Sequence, residues 1–238
     1  MKKLANTRWG TDAKTIRTTA LALCFSTAEY AAPVWNRSSH ATKIDPALNA
    51  ACRSITGCLR PTRVDDLYLL SGIAPPHIRR EVSAQMEKTK QENDPLHPLY
   101  HHEPVNKRLK SRHSFLHSTA SLDGTAHSRR MTLWTNHLQS APHKLSYRPS
   151  ESLPPGSSEA WPTWSCLNRL RSGTGRCKAL LQKWGYNRDN DIMCDCGEDQ
   201  TMQHLMVCPL LPQPCSADDL EVFNDNARSC IQHWIGLV

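Results

Sequence analysis

The sequence predicts a mainly α protein: an N-terminal helical bundle, an extended and irregular middle, and a small C-terminal Cys/His metal-binding helical module. Three observations carry that expectation. Apolar residues recur at helical spacing through the first third of the chain. Prolines punctuate those stretches and then crowd a segment where the periodicity fades. Four side chains of metal-ligand type, Cys194, Cys196, His204 and Cys208, fall in one short run.

The elements follow in order. Thr11 or Asp12 can cap a helix whose apolar positions are Ile16, Ala20, Leu23 and Thr27, with Pro33 expected to stop it near Ala32. Asp45-Pro46 is a helix opening, a capping side chain followed by an N1 proline. Leu48, Cys52, Ile55 and Leu59 share its apolar face, and Pro61 closes it. A short helix is expected over Val64–Leu70, ended by Ser71-Gly72, and a third amphipathic one after Pro75-Pro76 with Ile78, Val82 and Met86 inward. Residues 1–92 thus form a bundle. Residues 93–148 carry Pro95, Pro98, Pro104 and several histidines and read as largely exposed chain, with one helix around Arg129–Leu138. His101-His102 has no Cys or acidic cluster around it and reads as solvated loop. The Pro/Ser/Gly-rich stretch 149–160 reads as a linker to residues 161–212, the basic hairpin and Cys/His module. Residues 213–238 form a helical tail whose stripe Leu220, Phe223, Ala227, Ile231 and Trp234 suits internal packing.

Composition narrows the function. No run of about 18 apolar residues is present, so no membrane span is expected. The charged start Met1-Lys2-Lys3-Leu4 is not followed by an apolar stretch, so the expectation is an unsecreted, intracellular protein of nucleus or cytoplasm. In that setting ten cysteines do not read as a disulfide framework, and Cys24, Cys52 and Cys58 read as small buried hydrophobes. The formal charge of +7 favours polyanionic partners. It is concentrated: Arg169, Arg171, Arg176, Lys178, Lys183 and Arg188 lie between Trp161 and Arg188 with no acid among them.

Residues 194–208 have the pattern C-D-C-G-E-D-Q-T-M-Q-H-L-M-V-C. Two thiolates can grip one ion while Gly197 lets the backbone turn beneath it, and His204 and Cys208, four apart, can complete a tetrahedron from one helix face. Thiolate-rich donors favour zinc, and four protein ligands leave no open position, so the expected ion is structural. Cys215 is a possible substitute ligand, and unmetallated thiols in a helical hairpin are the alternative. Upstream, Arg169 and Arg171 precede the Gly173-Thr174-Gly175 turn, and Arg176 and Lys178 open the next helix. Helix-start amides with guanidinium groups suit phosphate contact. Trp184 and Tyr186 could stack on bases, although Trp184 with Leu180 and Leu181 fits a core position better.

Four separated blocks, LALCFSTAEYAAPVW (21–35), SGIAPPHIRR (71–80), LNRLRSGTGRCKALLQKWG (167–185) and the CDCG…H…C run, resemble the jockey-like, non-LTR (LINE-type) retrotransposon reverse transcriptases, in the part that follows the polymerase palm. The resemblance implies a helical thumb over residues 1 to about 92 and a zinc-knuckle-like region over 161–212 that grips RNA or DNA. The chain departs from that pattern in two places. His204 and Cys208 are separated by three residues where the family has four, and the Tyr/Phe-x-Asp-Asp motif of the catalytic palm is absent. Asp65 and Asp66 do not replace it, since they open a helix and have no third carboxylate nearby. No catalytic residue is therefore assigned. The expectation is a nucleic-acid-binding C-terminal portion of an RNA-directed DNA polymerase, with a structural zinc. The alternatives are part of a longer active reverse transcriptase, or a retained remnant serving as a protein-interaction scaffold.

Overall fold

A computed structural model describes residues 10–103, 105, 115–120, 123–141, 143, 145–187 and 191–238. They are mainly helical, and no strand forms among them beyond one isolated antiparallel bridge, Met193 to Asp199.

The first helix, α1 (Ala13–Thr19), is capped by Asp12, whose Oδ1 accepts the Thr15 N–H at 2.9 Å. It runs into a π-helical segment, Ala20–Phe25, and then α2 (Ser26–Ala28). The wider turn changes which side chains face inward. Ile16 and Ala20 are buried four residues apart, the next buried residue is Phe25, five further on, and Leu23 is left 65% exposed. Pro33 does not end this helix: Ala31 takes a left-handed conformation (φ 51°) and Pro33 sits in the first turn of the short α3 (Ala32–Trp35).

A 3₁₀ turn, Ala41–Ile44, leads into α4 (Asp45–Thr56), which buries Leu48, Cys52 and Ile55, as their spacing requires. Arg80 reaches its start and pairs with Asp45 at 2.6 Å. Helix α5 (Val64–Ser71) ends on left-handed Gly72, and α6 (Pro76–Asn93) buries Ile78 and Val82. Asp65 and Asp66 occupy the first turn of α5, where acids are favourable. Asp65 Oδ1 lies 2.9 Å from His137 Nε2, and Asp66 Oδ1 accepts the Leu145 N–H at 3.2 Å, so both tie the bundle to the middle region.

The middle region holds a short α7 (Phe115–Ser118) and the expected helix, α8 (Ala126–Leu138), which is capped by Thr125 and starts three residues ahead of the expected Arg129. Helix α8 lies along α6, with Trp134 fully buried and Arg129 donating to Thr89. His101 and His102 are exposed.

The stretch 149–160 is a fitted strap and no loose spacer. The Glu151 carboxylate is held by Arg130 and His127, its carbonyl accepts from Arg17, and Gly72 passes so close that a Cβ there would lie 2.3 Å from the Ser152 carbonyl oxygen. The strap delivers the chain to α9 (Trp161–Ser172), the central helix. Trp164 Nε1–H donates to the Ile55 carbonyl, and Asn168 Nδ2–H to that of Thr56, both at 2.9 Å. Gly57 (φ +70°) permits this crossing, since a Cβ there would stand 2.4 Å from Ser165 Cβ. One continuous apolar core therefore runs from Ile16 to Trp234.

Beyond α9 come α10 (Lys178–Lys183), the single-turn α11 (His204–Val207), α12 (Ala217–Val222) with a Ser216–Asp219 capping box, and α13 (Asp225–Trp234). The tail stripe Leu220, Phe223, Ala227, Ile231 and Trp234 is buried, as internal packing requires. Among the described residues no helix is long and apolar enough to cross a membrane.

Candidate metal centre

Residues 191–200 turn back on themselves. Gln200 N–H donates to the Ile192 carbonyl and Cys194 N–H to that of Glu198, both at 2.7 Å, and Gly197 N–H closes the tip onto Cys194 at 2.9 Å. Gly197 has φ +92°, a conformation that L side chains resist, and it lets the chain reverse under the two thiols. The Thr201 hydroxyl accepts the His204 N–H at 3.1 Å and starts α11. Helix α11 ends at Val207, and Cys208 leaves it in an extended conformation. The pair that was expected on one helix face thus stands at the two ends of a single turn.

These elements bring Cys194, Cys196, His204 and Cys208 together, with all four ligand atoms within 4.8 Å of one another, as a group that could hold a metal ion. Cys194 Sγ and Cys208 Sγ are 3.9 Å apart, and Cys196 Sγ and His204 Nε2 are 3.3 Å apart. A tetrahedral ion with bonds of about 2.3 Å to sulfur and 2.0 Å to nitrogen sets edges of roughly 3.8 Å between sulfurs and 3.5 Å between sulfur and nitrogen. The observed separations bracket those values. The other imidazole nitrogen, Nδ1, faces Glu198 Oε2 at 3.0 Å. A ligating imidazole commonly donates its other N–H to such a carboxylate, an arrangement that would leave the Nε2 lone pair for an ion among the thiols. This outer partner carries no sequence signal beyond being an acid in the loop.

The thiols resist ionising together. Burial is the largest influence on Cys194 and opposes its thiolate, but the Cys196 backbone N–H, His204, Cys196 and Cys208 together bring the thiol down to about 7. Burial and the neighbouring Cys196 and Cys194 push Cys208 up to about 11. A cation in their midst relieves that conflict by replacing the protons. The remaining cysteines lie elsewhere, and all ten are free thiols. Burial pushes Cys52 up to about 11 and Cys166 up to about 12, which leaves them as inert core groups. Cys215 stands outside the ligand group, and its Sγ lies 3.6 Å from the Ser216 carbonyl oxygen.

The basic residues upstream separate into three kinds. Arg169 and Arg171 are buried in α9. Arg169 donates to the Gly57 and Val238 carbonyls at 2.9 and 2.7 Å. Arg171 donates to the carbonyls of Pro155, Leu220 and Glu221 and stacks over Tyr147. Their guanidinium groups are committed inside the fold, away from any surface phosphate. Lys178 ties the hairpin to the metal loop, with Nζ 2.9 Å from Asp191 Oδ2 and donating to the Met193 carbonyl. The amides that open α10 are also taken, since Lys178 N–H and Ala179 N–H donate to the side chain and carbonyl of buried Gln200. An anion at that helix start would have to displace them. Arg176 is half-buried and Lys183 is exposed, while Arg188 lies outside the described residues. Trp184, expected in the core, is only half-buried, and Tyr186 beside it is 78% exposed.

The internal ties converge on the ligand loop from behind. Trp234 Nε1–H donates to the Leu205 carbonyl at 2.8 Å, and Cys230 Sγ lies 3.6 Å from the same oxygen. Helix α13 thus fixes α11 between His204 and Cys208. No known protein family, curated protein or solved structure matches the chain.

Proposed function

We propose that the chain is a non-catalytic, nucleic-acid-binding unit, the post-palm portion of a reverse transcriptase of the non-LTR retrotransposon kind, shaped by one structural zinc. The observation that carries the reading is the closed set of three cysteines and one histidine, wired through Gln200 and Lys178 to the hairpin that bears Arg176 and Lys183. Three sulfurs and an imidazole favour zinc over the hard cations, and a site filled by four protein donors offers no position for substrate. The ion would therefore act through folding. In small peptides such sites contribute roughly 10–16 kcal/mol, enough to decide whether a loop as short as 194–208 is ordered.

Charge supports the partner: the chain carries +7, in keeping with a polyanion. With Arg169 and Arg171 inside, phosphate contact falls to Arg176, Lys183 and neighbouring exposed cations such as Arg60. Three or four phosphates at about 0.7 each give a salt slope of about −2 to −3 on single-stranded RNA. Titration of the full chain with RNA across a salt series tests the reading. Binding with that slope supports it; binding that is absent or indifferent to salt overturns it. The apolar tail stripe is internal, as its spacing suggested, so it offers no surface for the scaffold alternative.

A further inference from the structure

Between the loop that follows α4 and helix α10 lies a groove of about 650 Å³. Its apolar walls are Leu59, Leu181 and Trp184, Tyr186 stands at its mouth, and Arg60 and Arg176 supply its charge. Among the described residues no carboxylate lines it. We propose that this groove is a single-strand docking site that takes an unpaired base against Trp184 and Tyr186 while Arg60 and Arg176 hold the flanking phosphates.

Resting on the reading that the chain binds nucleic acid, this proposal adds where the strand lies and in which form. Four features argue for it. The volume falls within the roughly 300–1,000 Å³ of sites that enclose small ligands, enough for one nucleotide. The groove combines guanidinium charge with aromatic faces, the pairing that sequence-tolerant single-strand binders use. A duplex hides its base faces within the stack, so among nucleic acids these aromatic faces suit unpaired bases. The walls are also set in advance. Arg53 Nη2–H donates to the Arg60 carbonyl at 3.1 Å, and Tyr186 N–H donates to the Leu181 carbonyl at 2.9 Å. Among the described residues no carboxylate pairs with the exposed Arg60 guanidinium.

The test uses the full chain, fluorescence anisotropy and a labelled, unstructured A/C-rich RNA of about 20 nucleotides, beside a blunt RNA duplex of equal length and an acidic, aromatic-containing peptide. Tyr186 is so exposed that Tyr186→Ala leaves the fold intact. It should weaken single-strand binding about 5- to 20-fold with the salt slope unchanged, and Tyr186→Phe should restore it. Arg60→Gln should lower the slope by about 0.7. Trp184→Phe should abolish RNA-induced quenching of tryptophan fluorescence. RNA binding that these variants leave untouched overturns the groove while the nucleic-acid reading stands. Absence of RNA binding in the parent chain overturns both. Equal binding of duplex, or binding of the acidic peptide at the strength of RNA, overturns the single-strand assignment.

Discussion

Replacing Arg171 by alanine separates an architectural guanidinium from a phosphate contact. In the fold Arg171 serves the end of α12, whose last carbonyls have no partners within their own helix. Its Nε and Nη2 reach the Leu220 carbonyl at 3.0 and 2.7 Å, and Nη2 also reaches Glu221 at 3.2 Å and Pro155 at 2.9 Å. Truncation strands these acceptors. The Leu220 and Pro155 bonds are the short ones, and each stranded group costs about 1–3 kcal/mol, while release of a buried cation to water returns part of that. A net loss of about 3 kcal/mol is expected, against a total stability of about 5–15 kcal/mol for a domain. With a urea dependence near 3 kcal/mol per molar, as suits a chain of this size, the unfolding midpoint should fall by about 1 M. Arg171→Lys should recover only part of it, because one ammonium cannot serve several carbonyls through a planar fork. RNA affinity measured on the folded fraction should be unchanged. If Arg171→Ala leaves the midpoint where it was and instead lowers the salt slope, the buried placement of this side chain is refuted.

Other consequences follow from the metal group and from α9. Mass spectrometry of the parent chain should find the one zinc proposed for this group; Cys194→Ser and His204→Ala should each lose it, whereas Cys215→Ser, outside the group, should keep it. Metal affinity should fall on acidification. The metal-free Cys208 thiol holds its proton through the neutral range, and Cys194 takes one up below about 7. The decline with falling pH should therefore steepen by about one decade per unit on crossing that point, which competition with a chromophoric chelator would reveal. Gly57→Ala combines a φ of +70° with a Cβ contact of 2.4 Å to Ser165. It should cost about 2–4 kcal/mol, read as a lowered melting temperature, and a change within about 0.5 kcal/mol would refute the close crossing of the two backbones.

Helix spacing and proline punctuation made most of the bundle legible, because burial on one face is a local pattern. It failed where the pattern shifted phase. The step from Ala20 to Phe25 is a π-turn step that no 3.6-residue template contains, so Leu23 was expected inside and lies outside. Pro33 is compatible with a helix start as much as a stop, and only the left-handed Ala31 decides between them. The ligands of the metal group were legible because their chemistry and spacing are local. Their outer support was not, since nothing near Gln200 or Leu205 in sequence announces a partner across the fold, and Glu198 is one of several acids in the loop. The arginines of α9 show the same limit in sharper form. A run of cations without acids suggests an exposed basic face, yet the partial negative charge on backbone carbonyl oxygens is enough to hold guanidinium groups, and it leaves no mark in a charge count.

The Gly57–Ser165 crossing has a mechanical meaning. Two backbones in direct contact cannot slide or swing past each other without breaking the Trp164 and Asn168 bonds on either side. A pull applied at the α10 hairpin passes through α9 into α4 as through an axle fixed at both ends. A load placed on the hairpin would therefore be shared by α9 and α4 together.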